Sequence, residues 1–90
     1  MIKVKKAERI AHAPLIIDCQ LAMAMESEGL ELDREKAKIG VHGVFEDPTR
    51  GQYYVAEVDG EFVGCLLTTY EWSDWRGSTC LWIQSVYVTQ

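Results

Sequence analysis

Long apolar runs are missing from this sequence of 90 residues. Nothing in it approaches the roughly 18 apolar residues that a membrane-spanning helix needs, and its start has no apolar stretch of the secretory kind. Basic charge is also scarce. Nine Lys and Arg stand against fourteen Asp and Glu, for a net charge of −5. Phosphate binding wants a basic patch, so the balance argues against nucleic acid. The one basic cluster, Lys3, Lys5 and Lys6, is small and reads as a solvated strand edge. Histidine is limited to His12 and His42. The cysteines Cys19, Cys65 and Cys80 are odd in number, widely spaced and without a CxxC pair, so no zinc set assembles from them. They read as buried free thiols in a reducing cytoplasm, the expected location. His12 and His42 read as a helix-start and a helix-surface residue. An acidic surface of this kind weakly attracts a cationic partner such as an amine.

What is present describes one modest domain, residues 1–90. Apolar residues make up 48% and charged residues 26%, the balance of an ordinary globular chain. "MIKVKK" alternates apolar and basic side chains, as a short strand with Ile2 and Val4 inward. A helix is expected from about His12 or Ala13 to Glu28, with Pro14 in its first turn. Its apolar stripe is Leu15, Ile16, Cys19, Ala22 and Met23, and Gly29 stops it. Asp33 caps a second helix bearing Ala37, Val41, Val44 and Phe45. That helix also carries Gly40 and Gly43, so either a neighbour packs closely there or the helix is weak. Pro48 ends it. The period then changes to two. Asp59-Gly60 lies between two β-rich runs, the strongest short-range signal for a hairpin. "SDWRGS" turns the chain once more into "TCLWIQSVYVTQ". The expected class is α+β in the order β-α-α-β-β-β, with β2-β3-β4 an antiparallel meander. There is no repeat and no linker.

This order, with "EGLELD" between the helices, the hairpin "YYVAEVDGEFVG" and the run "TTYEWSDWRGSTCLWIQSVYV", resembles the N-terminal half of the GNAT acetyltransferase superfamily. The look is of its small-amine and polyamine-type members. The resemblance covers essentially the whole chain and implies acetyl transfer from acetyl-CoA to an amine. In the family a Gln/Arg-x-x-Gly-x-Gly/Ala loop at a helix start follows the fourth strand and wraps the acetyl-CoA pyrophosphate. No such loop follows Val88 here. The expectation is therefore a chain truncated before that loop and inactive alone, either completed by a complementary C-terminal half on a second polypeptide or cut from a longer enzyme. The alternative is a non-catalytic dimeric module derived from such an enzyme.

By the same resemblance, backbone groups at Ser85, Val86 and Val88 would face the acetyl group and pantetheine arm. Candidate catalytic residues are Glu71, Ser85 and Tyr87, with Gln84 beside them. Gln84 and Ser85 do not titrate usefully as bases. Glu71 can act as a base or be a solvated charge at a hairpin end. Tyr70, Glu71, Trp72 and Trp75, with Asp74 and Arg76, offer two readings. They form an aromatic and acidic wall for an amine, or a hairpin tip that buries its own rings while Asp74 and Arg76 pin the turn. Residues 79–89 alternate as a two-faced strand, with Cys80, Trp82, Gln84, Val86 and Val88 on one side and Leu81, Ile83, Ser85 and Tyr87 on the other. Such an uncharged strand at a sheet edge is expected to pair with a second copy, as a homodimer.

Overall fold

The computed structural model describes residues 1–89. The elements follow in the expected order: β1 (Ile2–Lys6), α1 (Arg9–Glu28), α2 (Arg34–Glu46), β2 (Gln52–Val58), β3 (Glu61–Ser73) and β4 (Ser78–Val88). The strands form one antiparallel sheet in the order β1-β2-β3-β4, so β1 and β4 are its edges. Both helices lie on one face. Ala13, Ile16, Ile17 and Cys19 of α1 and Val41 of α2 meet Tyr53, Val55 and Cys65 of the sheet in a single core.

Local chemistry sets most boundaries. Asp59 and Gly60 both hold positive φ (52° and 83°), the two-residue turn whose twist suits paired strands. Gly29 is left-handed (φ 62°); its own N–H caps the Met25 carbonyl at 2.9 Å and the Leu30 N–H caps that of Ala24 at 3.1 Å. Asp33 caps α2 by accepting the Glu35 N–H at 2.9 Å. After α2, Asp47 accepts both the N–H and the hydroxyl of Thr49 around Pro48. These two bonds, the hydroxyl's first, hold its carboxyl below the usual range.

The start of α1 differs from the sequence expectation. It begins at Arg9, not at His12 or Ala13, because the His12 ring reaches back and accepts the Glu8 N–H at 2.8 Å. That ring is buried, so His12 is more than a helix-start residue. Pro14 consequently sits in the second turn and leaves the Ile10 carbonyl without a helical donor. Ile10 is 96% exposed, so solvent reaches that carbonyl. The apolar stripe is also rotated: Leu15 points outward, and Ala13 and Ile17 take the inward positions. Of the two α2 glycines, Gly43 lies against Arg50, whose guanidinium bonds the Gly43 carbonyl at 3.1 Å. Gly40 faces open space.

β4 departs furthest from expectation. Its pairing with β3 shifts between Leu67 and Thr68, which oppose Ser85 and Ile83, so Gln84 is an extra residue in β4. The bulge reverses the alternation from that point. Cys80, Trp82, Ser85 and Tyr87 share the helix side of the sheet. Leu81, Ile83, Val86 and Val88 share the other. The expected faces, which put Ser85 and Tyr87 with Leu81, follow from unbroken period two and are corrected by this one inserted residue. On that other face Leu81, Ile83, Val86 and Val88 are each more than half exposed.

Candidate functional site

The β4 bulge opens onto a groove of about 370 Å³ between the helices and the sheet. Gln20 of α1 and Leu32, Ala37, Gly40, Val41 and Val44 of the α2 region form one wall. Tyr53, Leu67, Gln84 and Ser85 form the other. The bulge places both Gln84 and Ser85 there, where a regular strand would present only one of them. Gln84 Nε2 donates to Thr69 Oγ1 at 2.8 Å, which fixes the amide and aims its carbonyl oxygen elsewhere. A bulge also takes backbone N–H and C=O groups out of the strand ladder, and these can serve a ligand.

A second concavity, of about 300 Å³, lies on the opposite sheet face. Ile2, Val4, Tyr54, Ala56, Val58, Leu66, Val86 and Val88 line it, with almost no polar surface. The bulge groove is the better candidate site because polar groups converge there on an apolar wall.

Tyr87, two residues past Ser85, packs against the core beside Cys65. Its hydroxyl donates to Glu26 Oε2 at 2.6 Å. That bond, reinforced by the Glu26 charge, pushes the phenol above its ordinary value, so Tyr87 stays protonated at neutral pH. Burial pushes the Tyr53 phenol up to about 12, and it too remains a neutral donor. The Cys65 thiol is pushed up to about 12, chiefly by burial, and the Cys19 thiol is raised for the same first reason. Both are inert buried thiols, while Cys80 is only half-buried.

The sequence candidates scatter. Ser85 and Gln84 stand in the groove, and Tyr87 lies next to them on the same face. Val86 and Val88 turn their side chains to the opposite face, so only their backbone is available to the bulge side. Glu71 opposes Cys80 on the groove side, but out on the exposed β3–β4 arm. Tyr70 and Trp72 alternate to the far side, opposite Leu81 and Thr79. Trp75 sits at the tip, 96% exposed. The arm therefore does not bury its own rings. Its turn is held by Ser73 Oγ, which accepts the Arg76 N–H at 3.3 Å, and by Gly77 at φ 62°. Among the described residues Asp74 and Arg76 form no ion pair with each other. Nothing local in the sequence marks Gln20, Tyr53 or Thr69. Gln20 follows Ile16 by one helical turn and Thr69 opposes the bulge, but neither signal is visible before the register is known.

Among the described residues no three His, Cys, Asp or Glu gather as a metal site. No helix is long and apolar enough to cross a membrane.

No protein-family model matches the sequence, and no curated protein matches it either. Solved structures do. A possible acetyltransferase from Clostridium difficile 630 shares 38% identity over 100% of this chain, with a TM-score of 0.92. An integron cassette protein from the mobile metagenome of Cole Harbour Salt Marsh matches at 20% identity over 96% of this chain, TM-score 0.85. A predicted acetyltransferase from Clostridium acetobutylicum, solved with acetyl-CoA, matches at 12% identity over 98%, TM-score 0.73. The last two, at such identities, show the fold alone. GNAT acetyltransferases are among the structural neighbours, and the β-α-α-β-β-β arrangement is a GNAT-like half fold. The chain spans 59%, 55% and 60% of the length of the three proteins above.

Proposed function

We propose that these 90 residues supply the acceptor side and the central strand of an acetyltransferase of the GNAT type, which moves an acetyl group from acetyl-CoA to an amine. The observation that carries this reading is the β4 bulge at Gln84, which opens a polar gap onto an apolar groove in a chain 38% identical to a possible acetyltransferase. A thioester carbonyl laid along β4 at Ser85 and Val86 would meet backbone N–H groups freed by the bulge. Donors so placed stabilise the oxyanion that forms when an amine attacks. The pantetheine amides of acetyl-CoA suit pairing with the β4 backbone near Val86 and Val88, where the strand has no further neighbour among the described residues.

Acetyl-CoA would supply the activated acyl group, and the residues of this chain would orient it. Gln84, fixed by Thr69, and Ser85 accept or donate hydrogen bonds at the gap. Tyr87, on the same strand face as Ser85, and Tyr53, in the groove wall, are the phenols available to give a proton to a leaving thiolate; Tyr87 would have to release Glu26 to do so. Glu71 lies too far along the arm to line the groove and is offered only as a base for an acceptor that reaches the arm. The groove lining holds no charged side chain. That favours an amine carried on an uncharged body over a polyamine.

Residues 1–89 place no helix N-terminus beyond β4 to hold a pyrophosphate. Three charge-assisted bonds at about 1.5–3 kcal/mol each would separate a micromolar site from one weaker than millimolar. Calorimetric titration of the 90-residue chain with acetyl-CoA, alone and with the remaining portion of a relative added, tests the reading. Binding weaker than millimolar alone and restored on addition supports it. Low-micromolar binding by the 90 residues alone overturns the need for a second part, and no binding in either case overturns the acetyl-CoA reading.

A second reading, a non-catalytic dimeric module, is favoured by one observation. β4 is an edge strand of 11 residues with no Lys, Arg, Asp, Glu or Pro to blunt it.

A further inference from the structure

Both histidines of the chain accept a hydrogen bond at Nδ1, and both bonds hold the start of α1. His12 Nδ1 takes the Glu8 N–H at 2.8 Å. His42 Nδ1, on α2, takes the Arg9 Nε–H at 3.0 Å. The same guanidinium reaches Glu46 Oε1 at 3.0 Å, so Arg9 ties the first turn of α1 to the last turn of α2. An imidazole nitrogen accepts only while it carries no proton, so each bond requires a neutral ring protonated on Nε2.

We propose that the first turn of α1 is an acid-released clasp, closed while His12 and His42 are neutral and opened when they take up protons. Around the His12 ring, whose side chain is 7% exposed, the charged neighbours are Glu57 of β2 and Lys5 of β1. Glu57 Oε2 lies 4.0 Å from Nε2, and its other oxygen lies 3.3 Å from Lys5 Nζ. Glu8 stands at the cap itself. A protonated His12 would keep Glu57 at Nε2, but its Nδ1–H would face the Glu8 N–H, donor against donor. Glu57 is already shared with Lys5, so the gain on one side of the ring does not replace the lost cap on the other.

Around His42 stand Arg9 of α1, Glu46 one turn on, and Lys38 one turn back, with Arg34 and Glu35 along the same shallow groove. Protonation there sets an imidazolium directly against the Arg9 guanidinium, and the bond between them is lost. Glu46 remains to attract either cation but cannot restore the bridge. The other end of the helix pair has no such sensitivity. Arg34 bonds Asp18 at 2.9 Å, a pair of guanidinium and carboxylate whose classes both stay charged through the histidine range. Acid therefore loosens the α1–α2 pair at one end only, the end where His12 lies against Glu57 of β2. α1 also carries Gln20 over the bulge groove, so the clasp can alter the cover of that groove. The inference rests on these bonds and is independent of acetyl transfer.

The experiment is a nitrogen-15 NMR titration of the 90-residue chain from about pH 8 to about pH 5, the interval that histidine dominates. Ring nitrogens and backbone amides are followed together, for the natural chain and for H12N and H42N. Asparagine keeps an oxygen near the Nδ1 position and does not titrate. At the upper end both rings are expected in the Nε2–H form. As His12 protonates, the Glu8 amide should move upfield and lose its exchange protection. The Arg9 Nε signal should follow His42, while Asp18 and Arg34 stay still. H12N should remove the response at Glu8 and H42N that at Arg9. A ring in the Nδ1–H form at pH 8, a Glu8 amide indifferent to the His12 titration, or an unchanged pH response in H12N overturns the proposal. If a variant does not fold, the titration of the natural chain decides alone.

Discussion

Tyr87 donates its hydroxyl to Glu26 at 2.6 Å, across 61 residues of sequence, and so ties the end of β4 to the last turn of α1. Few side-chain bonds connect the helices to the sheet, and this one lies on the candidate-site face of the strand. It also raises the phenol of Tyr87 above its ordinary value.

Alkali should unfold this chain through a small set of groups. Tyr53 and Cys65 are pushed up to about 12, and Tyr87 is raised, relative to unbound values of 10.0, 9.0 and 10.0. A raised folded value means that the native state keeps protons the unfolded chain gives up. Their contribution is complete below the unfolded values and is lost as pH rises from 9 towards 12. Thermal midpoints measured across that range should fall, and Y53F with C65A should flatten the fall. An unchanged slope in the double variant would count against burial of these groups as the cause.

Two glycine-to-alanine changes should have opposite signs. A Cβ at Gly64 would stand 2.6 Å from the Tyr87 carbonyl oxygen and 3.3 Å from Val88 Cα, so the β3–β4 backbone must move. The expected cost is about 1–3 kcal/mol. Gly40, within α2, meets nothing within 4 Å, and alanine there should stabilise by up to about 1 kcal/mol. Urea denaturation of both variants gives the comparison.

On α1, Ile16 and Ile10 separate burial from composition. Ile16 is wholly buried and Ile10 is 96% exposed. I16A should lose about 2–5 kcal/mol. I10A should stay within about 0.5 kcal/mol of the natural chain. Equal losses would mean that the helix docks by another face.

Trp75 at the arm tip should be dispensable for stability. Its 96% exposure predicts that W75A changes unfolding free energy by less than about 0.5 kcal/mol. Its fluorescence should be that of a solvated indole, so a blue-shifted Trp75 emission in the natural chain would refute the placement.

The uncharged β4 edge predicts self-association at high micromolar concentration. V86K places a charge on a residue already 56% exposed, so it should shift the molar mass seen by light scattering towards the monomer without unfolding the chain. A natural chain that is monomeric throughout would remove the reading of a dimeric module.

The helix stop at Gly29, the cap at Asp33, the breaker at Pro48 and the turn at Asp59-Gly60 were all legible in sequence. Each depends on a residue's own backbone preference or on a side chain reaching two residues away. The element order and the class followed from them. The start of α1 was not legible, because the ring that sets it belongs to His12 and is held by burial against Glu57. Glu71 and Tyr70 are neighbours in sequence, yet the strand sends them to opposite faces of an arm whose rings face solvent.

Sequence by itself determined where this chain turns and which segments are helix and strand, since those are local free energies of the backbone. Only the tertiary structure decided which side of β4 the groove lies on. Period two places Ser85 opposite to Gln84, and one unpaired residue in the β3–β4 register brings both to the same side. A bulge depends on how two strands fit across space, and neither strand carries that information alone.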